Sequence, residues 1–170
     1  MLKIFSIAFM LMISVAAAAQ PASYEVSNDP KNGQVVFKGP VTFDNLLKEP
    51  TFGWLKSGSD DYKPNQKKIK ILRGKLSVYS IVVFMGTWCS DTHEMLPKFY
   101  RVLQETGFPM DEVAMYGVER DKTTRSELLK KYSITNLPTI IVLKNGAEAG
   151  RITETVKKSV EGDLLKIVNL

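Results

Sequence analysis

The chain has 170 residues and a formal net charge of +5 at pH 7, with 44% hydrophobic and 24% charged residues. This length suits one domain with an ample hydrophobic core, and the charge is too small to indicate a nucleic-acid-binding protein. The only cysteine, Cys89, excludes an internal disulfide. Its thiol is therefore either buried and inert or kept for chemistry with another molecule.

The first 19 residues have the order of a secretory signal peptide. Lys3 precedes an apolar run from Ile4 to Val15, and the run ends in small residues at 16–19. The alternative is a single transmembrane anchor, but the run is shorter than the ~20 residues that a spanning helix needs. We predict cleavage after Ala19 and a periplasmic or secreted protein, which has no stable membrane insertion once the signal is removed.

Residues 20–75 are predicted to form an N-terminal extension that packs on the core. Residues 20–34 are polar and rich in turn-forming Pro, Asn and Gly, which indicates a lead-in that is flexible or ordered only on contact. A short strand follows at 35–37, and we expect Gly39 and Pro40 to close it.

The second half of the extension is predicted to be mostly helical. Thr42 caps a short helix that Pro50 stops. Residues 57–61 are polar and predict a turn, after which Pro64 opens a helix with a basic outer surface. Such a surface is usually solvated, and docking onto an acidic partner is the alternative.

The centre of the chain combines a buried strand, the cysteine and a helix. Residues 81–84 are all apolar and largely β-branched, which is typical of a buried strand. After Cys89 the apolar residues fall at helical spacing, at Met95, Leu96, Phe99, Val102 and Leu103. Cys89 therefore lies where a helix begins, and the free N–H groups and dipole of a helix start stabilise an anion such as a thiolate.

The rest of the chain continues the alternation of strands and helices. The predicted elements are a strand at 113–118, a helix from Asp121 to about Tyr132, hairpin strands at 139–143 and 150–153, and a closing helix capped by Ser159. This order predicts an α/β sandwich with a mixed sheet, which is parallel where helices intervene and antiparallel at the hairpin.

Two motifs resemble those of the thioredoxin-like proteins. The first is Trp88-Cys89-x-x-Thr92, with Pro97 inside the same helix, and the second is a Leu-Pro pair at 137–138 that opens a strand. The resemblance covers residues 76–170, which we predict to form the thioredoxin-like domain. It implies a three-layer sandwich with helices on both faces of a mixed central sheet.

The resemblance also assigns candidate roles. In the family the first motif is the redox site, a proline like Pro97 kinks the helix, and a cis-proline like Pro138 faces the cysteine. Thioredoxins proper carry a second, resolving cysteine three residues after the first, and here that position is occupied by Thr92. This chain is therefore similar to a monothiol variant of the family.

The predicted catalytic residues are Cys89 and Thr92. A hydroxyl one helical turn above the sulfur can donate a hydrogen bond to the thiolate, but it cannot attack a mixed disulfide. The carboxylate of Asp91 repels a thiolate at Cys89, because both groups are negatively charged. His93 could form a Cys/His pair, but the chain offers no visible group to orient it, and we interpret it as a solvent-side residue beside Glu94.

The predicted substrate-binding residues are Trp88, Leu137 and Pro138. The residue before such a proline keeps its backbone groups free, so an extended client segment could pair with Leu137 while its sulfur meets Cys89. The alternative is that Pro138 merely starts an edge strand, where proline is tolerated.

Two functional hypotheses follow. The first is monothiol thiol-disulfide exchange through Cys89 with client proteins that hold disulfides or oxidised cysteines, with an external thiol for resolution. The second is a redox-inactive binding module that uses the Trp88 and Leu137-Pro138 surface. A monothiol glutaredoxin is disfavoured by the export signal and by Trp88. A one-cysteine peroxidase is disfavoured because Gly86 stands where its threonine is expected.

We expect no cofactor and a monomeric protein. The chain lacks the ligands for a zinc site and has no glycine-rich phosphate-binding loop.

Overall fold

The computed structural model of the protein describes residues 24–123 and 126–169, so the predicted signal peptide lies outside the described residues. Six strands form one sheet in the order β1-β2-β4-β3-β5-β6. They are β1 (Glu25–Asn28), β2 (Val35–Val41), β3 (Tyr79–Met85), β4 (Val113–Gly117), β5 (Thr139–Lys144) and β6 (Ala147–Thr153).

The helices lie on the two faces of this sheet. They are α1 (Phe43–Lys48), α2 (Gly53–Asp61), α3 (Gln66–Lys75), α4 (Ser90–Thr106), α5 (Ser126–Lys131) and α6 (Val160–Ile167), with short 3-10 turns at Pro50–Phe52, Leu76–Val78 and Met110–Glu112. No helix within the described residues combines the length and apolar character needed to cross a membrane.

The central strand β3 shows how the layers are built. Its side chains alternate, so Ile81 and Val83 belong to the main core while Val82 and Phe84 belong to a smaller one on the opposite face. Helices α1–α4 and α6 contribute to the main core, and α5 contributes Leu129 to the smaller one. This arrangement confirms the predicted α/β three-layer sandwich with helices on both faces of a mixed sheet.

The sheet departs from the predicted strand directions at β5. Strands β3 and β4 are parallel, as predicted, but β5 runs antiparallel to β3 although α5 separates it from β4. The described part of helix α5, Ser126–Lys131, is short at ~9 Å and does not carry the chain back along the sheet. The chain therefore enters β5 at the edge where β3 ends, and Phe84 pairs with Thr139 there.

The extension supplies β1, β2 and α1–α3, and the boundary proposed at residue 76 stays a prediction. The lead-in prediction is wrong for residues 25–28, which form β1 and pair with β2. The closure predicted at Gly39 and Pro40 is also wrong, since β2 continues through both to Val41. The pairing with β1 ends at Lys38, so the missing N–H of Pro40 costs no ladder bond on that side.

Residues 57–61 are helical rather than a turn, because they form the second half of α2. A β-carbon on Gly58 would lie 2.9 Å from Cβ of Pro97, and the side chain of Ser59 is buried. Small residues here let α2 approach α4 closely. The local sequence resembles a turn because the small residues that allow this close packing are also common in turns.

The starts of two other helices also differ from prediction. Helix α3 begins at Gln66 rather than at Pro64, and Asn65 caps it, since its side chain accepts hydrogen bonds from the N–H groups of Lys67 and Lys68. Residues 122 and 123 are not helical, so Asp121 does not cap α5 as predicted. The predicted caps Thr42 and Ser159 are confirmed, and each accepts a hydrogen bond from a backbone N–H in the first turn of its helix.

Candidate active site

Cys89 is the N-cap residue of α4. Its backbone is extended, with φ −93° and ψ 125°. Its N–H donates to the carbonyl of Gly86 over 3.0 Å, and its own carbonyl accepts the N–H of His93 over 3.1 Å. The residue is half-buried. The cysteine therefore joins a tight turn after β3 to the first turn of the helix, where the backbone dipoles favour an anion.

The thiol faces the loop that precedes β5. It donates a hydrogen bond to the carbonyl of Leu137, with 3.5 Å between sulfur and oxygen, and the Leu137-Pro138 peptide bond is cis. Leu137 and Pro138 are both buried. The two loops meet because β3 ends and β5 begins at the same edge of the sheet. A client that pairs with this carbonyl has to replace the thiol hydrogen bond.

Thr92 lies fully buried beneath the turn. Its hydroxyl oxygen accepts the N–H of Gly86 over 3.3 Å, so it closes the loop between β3 and α4. A hydroxyl that accepts one hydrogen bond still has its own proton to donate. The predicted hydrogen bond from Thr92 to the thiolate stays a prediction.

Trp88 is held on two sides. Its indole N–H donates to the carbonyl of Val118 over 2.8 Å. Its ring covers Gly86 so closely that a β-carbon there would lie 2.8 Å from the ring. A threonine in place of Gly86, as expected in a one-cysteine peroxidase, therefore does not fit without displacing the indole.

An ion pair that the sequence analysis missed stands beside Trp88. The guanidinium carbon of Arg120 lies 4.2 Å from the centroid of the Trp88 ring. Two guanidinium nitrogens contact the carboxylate of Asp29, at 2.8 Å from Nε and 2.7 Å from the terminal nitrogen, and the Asp29 side chain is fully buried. Hydrogen bonding to Arg120 holds the pKa of Asp29 below its usual value.

No local signal could have revealed this pair, since its members are 91 residues apart. Residues 28–30, Asn-Asp-Pro, have the composition of an ordinary turn. Asp29 does form that turn, with its side chain accepting the N–H of Lys31 over 3.0 Å.

His93 is not the solvent-side residue that we predicted. Its ring is partly buried and stacks on Trp54, with 4.4 Å between ring centroids. Its Nε2 lies 2.7 Å from the carbonyl oxygen of Thr87. A carbonyl oxygen only accepts, so Nε2 carries the hydrogen and is engaged as a donor. This nitrogen is not available as a base for Cys89.

Pro97 lies inside α4 and is buried against α2. The helix runs from Ser90 to Thr106 as one element, and the predicted kink at Pro97 stays a prediction. Within residues 24–123 and 126–169, no cluster of His, Cys, Asp and Glu is suited to hold a metal ion.

A comparison with protein families supplies the context for this geometry. The family model described as Thioredoxin matches residues 66–166, which is more than half of the chain. The chain belongs to the thioredoxin family. Both predicted motifs of this thioredoxin-family protein, at 88–92 and 136–139, fall within the match.

Individual relatives agree with this membership. The thioredoxin-family segment is 32% identical over 69 residues to a thioredoxin from Echinococcus granulosus, which covers 41% of this chain and 59% of that protein. It is 31% identical over 71 residues to the chloroplastic thioredoxin Y of Oryza sativa subsp. japonica, which covers 42% of this chain and 39% of that protein. The chain thus spans about three fifths and two fifths of the length of these curated relatives.

One solved structure is similar over a longer part of this thioredoxin-family chain. A Pseudomonas aeruginosa protein of unknown function superimposes with a TM-score of 0.59 at 13% identity, covering 76% of this chain and 92% of that one. At this identity the likeness concerns the fold alone.

Proposed function

We propose that the protein is an exported monothiol member of the thioredoxin family that carries out thiol-disulfide exchange through Cys89. The observation that carries this proposal is the placement of the sulfur. Cys89 is a half-buried residue at the start of α4, and its sulfur lies 3.5 Å from the carbonyl oxygen of Leu137 in the Leu137-Pro138 loop. A thiolate is the nucleophile in such exchange, and a helix start favours the anionic form.

The reaction begins when the Cys89 thiolate attacks one sulfur of a disulfide in a client. A bond forms between Cys89 and that sulfur, the bond within the client breaks, and the other client sulfur leaves as a thiolate that takes up a proton. One disulfide replaces another, so this step causes no net oxidation or reduction of the protein and its client taken together.

Release of Cys89 requires another thiol, because the chain has only one cysteine. A thiol of the client, or an external low-molecular-weight thiol, attacks the mixed disulfide and restores the Cys89 thiolate. Attack by the client thiol gives a rearranged disulfide, and attack by the external thiol transfers the disulfide to that thiol. The protein therefore acts as an isomerase or removes bound thiols such as glutathione, with little turnover as a dithiol reductant.

The neighbouring residues have supporting roles in this proposal. The Thr92 hydroxyl donates a hydrogen bond to the thiolate, which favours the charged form. Trp88, Leu137 and Pro138 flank the client segment around the attacked sulfur. Residues 1–19 direct the protein to the periplasm or the exterior, where it acts as a monomer. Sequencing the amino terminus of the protein recovered from that compartment tests whether cleavage occurs after Ala19.

The direct test is the capture of mixed disulfides. The purified protein is incubated with a glutathionylated peptide, and its mass is measured without reductant. We expect an adduct on the wild type and none on Cys89→Ser, because any disulfide to this chain must involve its only cysteine. With added glutathione, the wild type should release the peptide thiol catalytically.

Two results would count against the proposal. The first is an absence of adducts together with alkylation of Cys89 no faster than that of a free cysteine. The second is an unchanged cellular phenotype and unchanged partner binding in Cys89→Ser, which would support the redox-inactive binding module instead.

A further inference from the structure

The Asp29-Arg120 pair joins three separated parts of the chain at the edge of the candidate site. Asp29 lies in the turn between β1 and β2, which precedes the part of the chain matched by the family model. Arg120 lies in the loop after β4, and Trp88 directly precedes Cys89. The guanidinium contacts the carboxylate at 2.7 Å and covers the indole at 4.2 Å. The amino-terminal turn is thereby connected to the residue next to the sulfur.

The geometry of the pair is closely defined. The Asp29 side chain is fully buried, and a buried carboxylate is tolerated only when it is paired and hydrogen-bonded. The Nε atom of Arg120 contacts both carboxylate oxygens, at 3.0 and 2.8 Å. A planar guanidinium held in this way has one orientation, and that orientation places its face over Trp88.

Arg120 also lies near enough to Cys89 for a Coulomb interaction between them. Hydrogen bonding to Asp29 is the largest cause that raises the pKa of Arg120, and Coulomb attraction to Cys89 adds to it. The two members of the pair have opposite effects on a neighbouring thiolate, since the cation attracts it and the carboxylate repels it.

We propose that Asp29 and Arg120 are positioning residues of the candidate active site, which hold Trp88 against the redox loop and together set the reactivity of Cys89. This inference rests on the proposed function of Cys89. It gives the amino-terminal extension a role in the chemistry, because Asp29 fixes the orientation of the arginine that covers the indole.

Other titratable or charged residues on the elements that carry Cys89, Arg120 and the Leu137-Pro138 loop stay constant in the test. Asp91 and His93 lie on α4, Glu119 and Asp121 flank Arg120, and Lys122 donates to the carbonyl of Thr135 before the Leu137-Pro138 loop. Only the Asp29-Arg120 pair is varied, so differences between variants report on that pair.

The experiment measures the rate at which iodoacetamide alkylates Cys89 across a pH series. Arg120→Gln removes the cation and leaves the carboxylate, so we expect alkylation at neutral pH to slow by about two- to threefold. Asp29→Asn keeps the shape and leaves the cation uncompensated, so we expect alkylation to quicken by a similar factor. Arg120→Lys retains the charge but not the planar contacts with Asp29 and Trp88, so we expect a rate between those of Arg120→Gln and the wild type.

The opposite signs separate this role from simple structural support. Loss of support alone would shift both variants in the same direction, so shifts of the same sign, or no shift, would overturn the inference. If Arg120→Gln does not fold, Asp29→Asn decides alone, since a slower or unchanged rate contradicts the proposal.

A second ion pair provides the matched control. Arg101 and Glu105 pair at 2.7 Å on the same helix α4, but Arg101 is twelve residues, or ~18 Å, beyond Cys89. Arg101→Gln and Glu105→Gln should leave the alkylation rate unchanged, and a change in either would overturn the inference. Failure of the proposed function has a different outcome, in which the wild type itself forms no client adducts whatever the variants do.

Discussion

Gly58 packs against Pro97 so closely that a β-carbon on Gly58 would lie 2.9 Å from Cβ of the proline ring. The contact joins α2 of the predicted extension to α4, the helix that begins at Cys89. Pro97 gives no backbone N–H to the helix, so its ring presents an apolar surface there. Helices α2 and α4 can therefore approach each other closely at this position because Gly58 has no side chain.

Gly58→Ala should reduce the free energy of unfolding by about 1–3 kcal/mol, because the added methyl group overpacks the contact with Pro97. Urea unfolding measures the change. The control is Gly74→Ala in α3, where a β-carbon meets nothing within 4 Å. That change should stabilise the protein by roughly 0.5–1 kcal/mol through the better helix propensity of alanine. A Gly58→Ala protein as stable as the wild type would show that α2 shifts freely.

Thr92→Cys should restore a two-cysteine site. Residues three apart lie on one helix face, within the span of a disulfide. We expect an internal disulfide under oxidising conditions and dithiol-dependent reduction of insulin, which we do not expect of the wild type. Mass spectrometry after alkylation counts the free thiols. Ser90→Cys is the control, since adjacent residues on a helix do not face each other. Two free thiols in oxidised Thr92→Cys would contradict the prediction.

Tyr62→Phe should destabilise the fold by about 1.5–3 kcal/mol, the usual value of a hydrogen bond to a charged group. The Tyr62 hydroxyl donates over 2.7 Å to Glu161, whose carboxylate is buried and also accepts the N–H of Asn65. Chemical unfolding near neutral pH tests the loss. Glu161→Gln retains an acceptor for the hydroxyl and should cost less than Tyr62→Phe.

The raised pKa of Tyr62 leads to a prediction about how the stability of the protein changes at alkaline pH. Burial, aided by the hydrogen bond to Glu161, raises the pKa of Tyr62 above its usual 10.0. A raised folded-state pKa contributes stability that is complete below the unfolded value and is lost as the pH rises through the folded value. The stability difference between wild type and Tyr62→Phe should therefore narrow above about pH 10. A constant difference across that range would be inconsistent with the buried hydroxyl.

The lowered pKa of Asp29 leads to a prediction about how the free energy of unfolding changes at acid pH. Hydrogen bonding to Arg120 lowers the pKa of Asp29 from 3.8. A depressed folded-state pKa contributes stability that is present above the unfolded value and is lost as the pH falls through the folded value. Below about pH 4, wild type should lose stability more steeply than Asp29→Asn. Parallel acid profiles for the two proteins would contradict this assignment.

Sequence reasoning succeeded where one short stretch determined both structure and position. The apolar run at 81–84 and the later helical spacing located β3, Cys89 and α4 because burial imposes different periods on strands and helices. The hairpin strands predicted at 139–143 and 150–153 likewise correspond to the paired strands β5 and β6.

Sequence reasoning failed where the type of a residue depends on a contact with another residue that is far away in the sequence. Gly58 and Ser59 look like turn residues, yet their small size serves the contact with α4. Asp29 looks like part of a turn, yet its carboxylate pairs with Arg120. The polarity of His93 suggested exposure, whereas its ring is covered by Trp54. Such contacts leave no periodic trace in the chain.

Strand β2 has a consequence for self-association. It pairs with residues 115–117 of β4, so this part of β4 has a strand on both sides although β2 lies outside the segment matched to the thioredoxin family. The margin on this side is instead β1, which has only four residues. A short outer strand is a poor template for edge-to-edge aggregation. The amino-terminal segment thus gives the sheet a four-residue border on this side, which limits the addition of a strand from a second chain.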